Sequence, residues 1–330
     1  MKRHSVLYLV VASMMCCAAW AQAAPGYKVV KTWKLGGDGG WDYITVDGDG
    51  HRLFIARSNR VLVVDEESGK LLAEIPDTPG VHGVALVPEL GRGFISAGGE
   101  DAVVIFDLKS LKVLNKMKVG SRPDAIIYDP FAKRVFTFNA RSQDTTAVDA
   151  AKGEVVGTLA LGGKPEYSVS DGKGTMWVNI EDTSELVQFD PQKLAVKARW
   201  KMAGCQEPTG LSFDAKSRRL FAGCGNKTMA IMDADSGKEI ATLPIGDGCD
   251  GTAFDPEYKL AFASAHDGTL TVIRQDSPDK FTVAETVQTQ SGARTLGLDP
   301  ETHQVFTVTA KTLPERKVEP DTFVVIVVAK

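Results

Sequence analysis

The sequence predicts an all-β fold: a seven-bladed β-propeller with four-stranded blades, its ring closed by the N-terminal strand completing the last blade. Three observations predict it. A unit of 38 to 44 residues recurs seven times, beginning near 41, 81, 123, 165, 208, 249 and 293, and fills the chain from Trp41 to its end. Each unit holds short apolar runs of strand length closed by turn residues. An apolar, β-branched run from Tyr27 to Leu35 precedes the first unit, while the last unit lacks a fourth strand. One four-stranded sheet cannot bury both of its faces, so each needs neighbours like itself, and a period near 40 meets that need as a propeller.

The unit starting at Pro123 shows the pattern most clearly. Its runs are Ala125 to Tyr128, Val135 to Asn139, Thr146 to Val148 and Glu154 to Leu161. Asp129-Pro130 ends the first run, because proline cannot extend a ladder. Asp149 ends the third, and Gly162-Gly163 the fourth. The seventh position of the units reads Asp47, Val87, Asp129, Asp171, Asp214, Asp255 and Asp299. The fourteenth reads Phe54, Phe94, Phe136, Phe221, Phe262 and Phe306, with Trp177 one residue early. An aromatic recurring in every second strand is a packing device, each worth ~1.5–3 kcal/mol when buried. Third strands close on Asp65, Asp107, Asp149, Asp190 and Asp233, where a carboxylate can bond to its own backbone two residues on.

These repeat residues also carry a resemblance. Phe136-Thr137-Phe138-Asn139, followed by a third strand ending in Asp and a fourth ending in Gly-Gly-Lys-Pro, resembles the repeat of the YVTN-type, YncE-like propeller proteins. The resemblance spans all seven units and implies a seven-bladed ring. It implies no particular reaction, since most members are secreted or periplasmic proteins without an assigned one.

The domain organisation follows. Residues 1–24 read as a signal peptide: Lys2 and Arg3, an apolar run from Val6 to Ala19, and the small-residue site Ala21-Gln22-Ala23-Ala24. The apolar run is short for a transmembrane helix, and methionine precedes Cys16-Cys17 where a lipoprotein site wants a small residue. Residues 25–330 then form a single propeller in the periplasm or outside the cell, expected as a monomer without a transmembrane span. Losing Lys2 and Arg3 takes the formal net charge from −4 to −6. That balance, with no basic run, argues against nonspecific nucleic-acid binding.

Phase alone assigns faces. The connection entering each first strand lies on the same face as the loop between strands two and three, the funnel mouth of the central channel. The second position of the units brings Asp42, His82, Asp124, Glu166, Thr209, Asp250 and Arg294 there. The second-to-third strand loops bring Arg57, Asn139, Arg141, Glu181, Cys224 and His266. Trp41 opens the first unit, where it can stack on a ligand or cap the ring closure. Arg57, Arg141 and Arg294 suit an anionic ligand through the planar guanidinium fork. His82 and His266 are the two funnel-side histidines, candidates for a ligand contact or a general base beside Asp124 or Glu166. Asp42, Asp124, Glu166 and Asp250 read as solvated loop carboxylates or as a ring for a divalent cation. A charged insertion, Lys311 to Asp321, falls on the same face as a tether or a lid.

Three cysteines remain after the leader: Cys205, Cys224 and Cys249. An oxidising compartment favours a disulfide. The expected pair is Cys205–Cys224, because the loop holding Cys205 passes over the blade that contains Cys224; Cys224–Cys249 is the alternative. A metal set of Cys249, Asp250 and His266 has no zinc-like spacing, so no metal or other cofactor is expected beyond a possible divalent ion. The absence of Cys-x-x-Cys-His rules out covalent c-type haem, and there is no phosphate loop, nucleophile elbow or His-Glu-x-x-His. The expected role is a binding or scaffold protein that takes a small polar ligand or a protein partner at the funnel face. The alternative is a hydrolytic or lyase-type, lactonase-like propeller, and a weaker one an accessory of a periplasmic redox system. No catalytic residue is assigned.

Overall fold

The computed structural model describes residues 25–314 and 317–330, so the leader expected over residues 1–24 lies outside the described residues. The described chain forms seven four-stranded antiparallel sheets around a central axis. Six are consecutive meanders. The seventh is assembled from both ends of the chain: Leu296–Leu298, Val305–Thr309 and Val324–Ala329 are followed by the N-terminal strand Lys28–Lys34. That closing strand pairs antiparallel in the register Lys28↔Ala329 to Lys34↔Val324, as the missing fourth strand of the last unit required. Among the described residues no helix is long and apolar enough to cross a membrane.

Seven apolar clusters hold the ring together, and each lies between two adjacent blades rather than inside one. Phe54 of blade 1 meets Phe106 of blade 2, Phe136 of blade 3 meets Phe189 of blade 4, and Trp177 of blade 4 meets Phe213 of blade 5. All seven second-strand aromatics are fully buried. The aspartates that end third strands accept backbone N–H bonds from the turn they open, as Asp65 does from Ser68, Asp107 from Ser110 and Asp233 from Ser236. Two of these turns contain a glycine for a second reason. A Cβ on Gly69 would strike the ring of Trp33, and one on Gly237 the ring of Trp200, each tryptophan belonging to the outer strand of the preceding blade.

Inner strands position the functional face. Pairing between first and second strands slips just inside the mouth in blades 2 to 6, for example between Pro123 and Ile126 and between Cys249 and Gly251. Such a bulge re-aims the side chains beside it, and the side chains there are His82, Asp124, Glu166, Thr209 and Asp250. The third position of the units is small in five blades (Gly83, Ala125, Gly210, Gly251 and Thr295) and tyrosine in two. Tyr43 of blade 1 and Tyr167 of blade 4 reach across the axis, with ring centroids 5.2 Å apart. Beyond them the inner strands line an uncharged cavity of about 520 Å³ that includes Ile44, Val84, Ile126, Tyr128, Phe254 and Leu296.

Candidate functional site at the funnel mouth

Six of the seven second-position residues converge around the mouth as three linked groups. In the first, His82 Nδ1 lies 2.6 Å from Asp42 Oδ2 and 3.4 Å from Asp124 Oδ1. In the second, Arg294 Nε donates to Asp250 Oδ2 at 2.7 Å, and Nη2 donates to the Trp41 carbonyl at 3.2 Å and lies 3.8 Å from Asp42 Oδ1. In the third, Lys164 Nζ lies 2.7 Å from Glu166 Oε1 and also holds Glu181. Thr209 turns away and donates to the Cys249 carbonyl. Five carboxylates thus face three basic side chains in a half-buried basin.

Burial shifts these groups strongly. Desolvation pushes Asp124 up to about 6; the neighbouring His82 opposes this, and the Asp42 and Asp250 charges add to it. Glu166 is held well above the ordinary carboxyl range by burial and then by Asp124. Glu181 moves the other way: burial alone would raise it, but bonds from Glu166 and Lys164 outweigh that. Asp250 is raised by burial against the pull of Arg294. For His82 burial works against the charged ring, yet the Asp42 hydrogen bond and the Asp124 and Asp42 charges raise it overall.

Tyr43 forms the floor. It is 9% exposed, and burial, then the Asp124, Glu166, Asp250 and Asp42 carboxylates, hold its phenol well above normal. Neither Tyr43 nor Lys164 was singled out from the sequence. The signal was present for Tyr43, since a tyrosine in a column of Gly, Ala and Thr has room to project into the axis. Lys164 sits two residues before Glu166 and lies outside the phase column.

The remaining candidates separate into rim and frame. Trp41 caps the ring closure. Its ring packs 6.2 Å from Phe323 at the ring closure, and its other surroundings include the Arg294 guanidinium at 5.8 Å. Beside it, Gly40, His266, Arg294, Thr312 and Val318 complete a cavity of about 600 Å³ off the axis. The described part of the insertion that begins at Lys311 lies there. Thr312 bridges Val318, and Asp321 exchanges hydrogen bonds with Gly37. It flanks the basin.

Arg57 and Asn139 require correction as ligand groups. Arg57 is fully buried, donating to the carbonyls of Asp38, Gly39 and Gly40 and lying 3.8 Å over the Phe323 ring. It clamps the segment entering blade 1. Asn139 is also fully buried and donates to Asp144 and Thr146, fixing its own hairpin. Arg141 is exposed on that hairpin, away from the linked groups.

Cys205 and Cys224 are disulfide-bonded, with Cα atoms 5.4 Å apart, and Cys249 is a buried free thiol. The Cys249, Asp250 and His266 metal set does not form. Cys249 is buried, its thiol pushed up to about 12 by burial and then Asp250, and His266 is exposed on a separate loop, so their donor atoms do not cluster among the described residues. Among the described residues, the three metal-competent side chains whose donor atoms all lie within 4.8 Å of one another are Asp42, His82 and Asp124.

No family model matches the chain. Among curated proteins, a pre-rRNA-processing protein (IPI3) of Meyerozyma guilliermondii is 29% identical over 168 residues, which is 48% of this chain and 35% of that protein. The match thus spans about a third of the relative. Among solved structures, a chain of Kuenenia stuttgartiensis hydrazine synthase superposes with a TM-score of 0.71 at 17% identity, covering 82% of this chain and 92% of that one. A chain of the mitotic checkpoint complex superposes with a TM-score of 0.75 at 13% identity, covering 97% and 98%. At these identities the shared property is the propeller fold.

Proposed function

We propose that this propeller is an exported, monomeric binding protein whose funnel mouth takes a small polar ligand bearing positive charge. The observation that carries the reading is the excess of carboxylates around the Tyr43 hydroxyl. Asp42, Asp124, Glu166, Glu181 and Asp250 face His82, Lys164 and Arg294, and Asp124 has no Lys or Arg within ion-pair distance among the described residues. A desolvated carboxylate without a full counter-charge attracts a cation. The disulfide supports an oxidising compartment, in line with the leader expected at the N-terminus. Asp124, Glu166 and Asp250 stand on the inner strands of three different blades, so the site comes largely pre-formed and binding costs little ordering.

A second reading, a hydrolytic enzyme, is favoured by one observation: His82 is gripped between two carboxylates, as an oriented general base would be. One panel on the purified mature protein tests both. Thermal shift and calorimetry with amines, divalent ions, organic acids and sugar lactones should show stabilisation by cationic compounds. D124N should weaken that binding about tenfold or more, about 1.4 kcal/mol. Stabilisation by anions alone, or none by any compound, would overturn the binding reading. Lactone turnover lost in H82Q would establish the hydrolytic one.

A further inference from the structure

We propose that Asp42, His82 and Asp124 form a binding site for one divalent transition-metal ion, with the carboxylates of the basin and the Tyr43 hydroxyl facing its open side. The inference rests on the funnel-mouth reading above and names the cation it would take.

Geometry is the first support. The three donor atoms lie within 4.8 Å of one another, and Nδ1 of His82 already touches both carboxylates, at 2.6 and 3.4 Å. An ion bonded at about 2.1 Å to nitrogen and oxygen donors needs them roughly 3 Å apart, so small side-chain rotations suffice. The donors come from three successive blades and are braced from behind. Ser96, fully buried, accepts from Gly83 N–H at 2.9 Å and donates to the Asp124 carbonyl at 2.6 Å. It thereby ties the backbone beside His82 to that of Asp124. Tyr43 N–H donates to the His82 carbonyl at 3.2 Å, which ties blade 1 to blade 2 at the same level. The His82 ring lies over Gly98, where a Cβ would stand 3.0 Å from Cδ2 and 3.1 Å from Nε2. Glycine there leaves the imidazole its place.

The second support is Tyr43. The residue is about nine-tenths buried, its phenol lies in the field of the Asp42, Asp124, Glu166 and Asp250 carboxylates, and its hydroxyl, which bonds to no described residue, opens to the basin. A metal-bound water or ligand on the open side would find a hydrogen-bond partner there. Charge agrees. Asp250 is matched by Arg294, which also lies 3.8 Å from Asp42, and Glu166 and Glu181 share Lys164, which leaves Asp124 with His82 alone. One imidazole and two carboxylates suit manganese, iron, cobalt, nickel or zinc. Calcium takes six to eight oxygen ligands, which this set does not offer.

The test uses the full mature chain, stripped with chelator and dialysed against manganese, cobalt, nickel or zinc chloride. Elemental analysis should find close to one equivalent of at least one of these ions. D124N and H82Q should each retain at least tenfold less, while H303Q, on the opposite face, should match the wild type. Should D124N fail to fold, D42N and the visible spectrum of the cobalt-loaded wild type, which reports a nitrogen donor, carry the same comparison. No retained ion in the wild type, or retention unchanged in H82Q and D124N, overturns the proposal. Where no ion is retained but an organic cation still stabilises the protein in a D124-dependent way, the metal site falls and the funnel-mouth reading stands; where neither binds, both fall.

Discussion

Glu66 shows what a single buried carboxyl does here. It sits at the seam between blades 1 and 7, 7% exposed, with both side-chain oxygens lacking a donor. Burial, and then the adjacent Asp299 and Asp47, push it up to about 8. A neutral Glu66 can instead donate to Asp299, which is held low by its turn bonds to Thr302 and Glu301 against the effect of burial. The sign follows from proton counting. Between the ordinary glutamate range and about pH 8 the folded chain holds a proton that the unfolded chain releases, so stability falls as pH rises through that window. E66Q is expected to flatten this decline, melting about 1–3 °C above the wild type at pH 8.5 for a difference of roughly 1 kcal/mol; thermal melts at pH 5.5 and 8.5 check it. At this scale the sequence is unevenly legible. Asp42, His82, Asp124, Glu166, Asp250 and Arg294 were found because all seven units share one phase, so a column of the alignment becomes a ring in space. Their pairing was not legible, since it depends on how far each side chain reaches across the mouth. Arg57 was misread for a related reason: what covers it is the segment Asp38 to Gly40, which belongs to no repeat.

The strand is the scale at which the sequence spoke most plainly. Turn aspartates, second-strand aromatics and the glycines under Trp33 and Trp200 each have a local physical cause, and local causes survive in a repeat. The bulges just inside the mouth did not show, because the residues around them (Pro123 to Ile126, Pro165 to Ser168) read as ordinary strand. The disulfide joins the Cys205 loop to the second strand of blade 5 across a sequence separation of 19. Opening it should cost ~3 kcal/mol in the chain-entropy model. A C205S/C224S variant should show that loss in urea unfolding. Peptide mapping of the unreduced wild type should find the Cys205 and Cys224 peptides linked and the Cys249 thiol unreactive until the protein is denatured; linkage through Cys249 would contradict the structure.

For the whole molecule the decisive property is that every core is shared between neighbours. No blade is stable by its own burial, and six interfaces follow from chain order while the seventh, between blades 7 and 1, rests on closure. Phe306, Phe323 and Val325 there pack against Leu53, Ile55 and Val64, with Trp33 of the closing strand over them. Removing residues 25–35 would bare the edge Val324–Ala329, a row of unpaired backbone groups flanked by valines. Such a truncation is expected to lose the single cooperative unfolding transition and to associate at micromolar concentration. Urea melts followed by tryptophan fluorescence, with light scattering, check this. A truncated chain that still melts in one step would show that closure is dispensable.

The two tyrosines that meet across the axis give the molecule the form of a cup rather than a pipe. What settles among the carboxylates is set apart by the paired rings from the uncharged chamber beneath them. Anything docked over the rim would therefore lock the contents in, making occupancy of the cup and coverage of its lip a single coupled event.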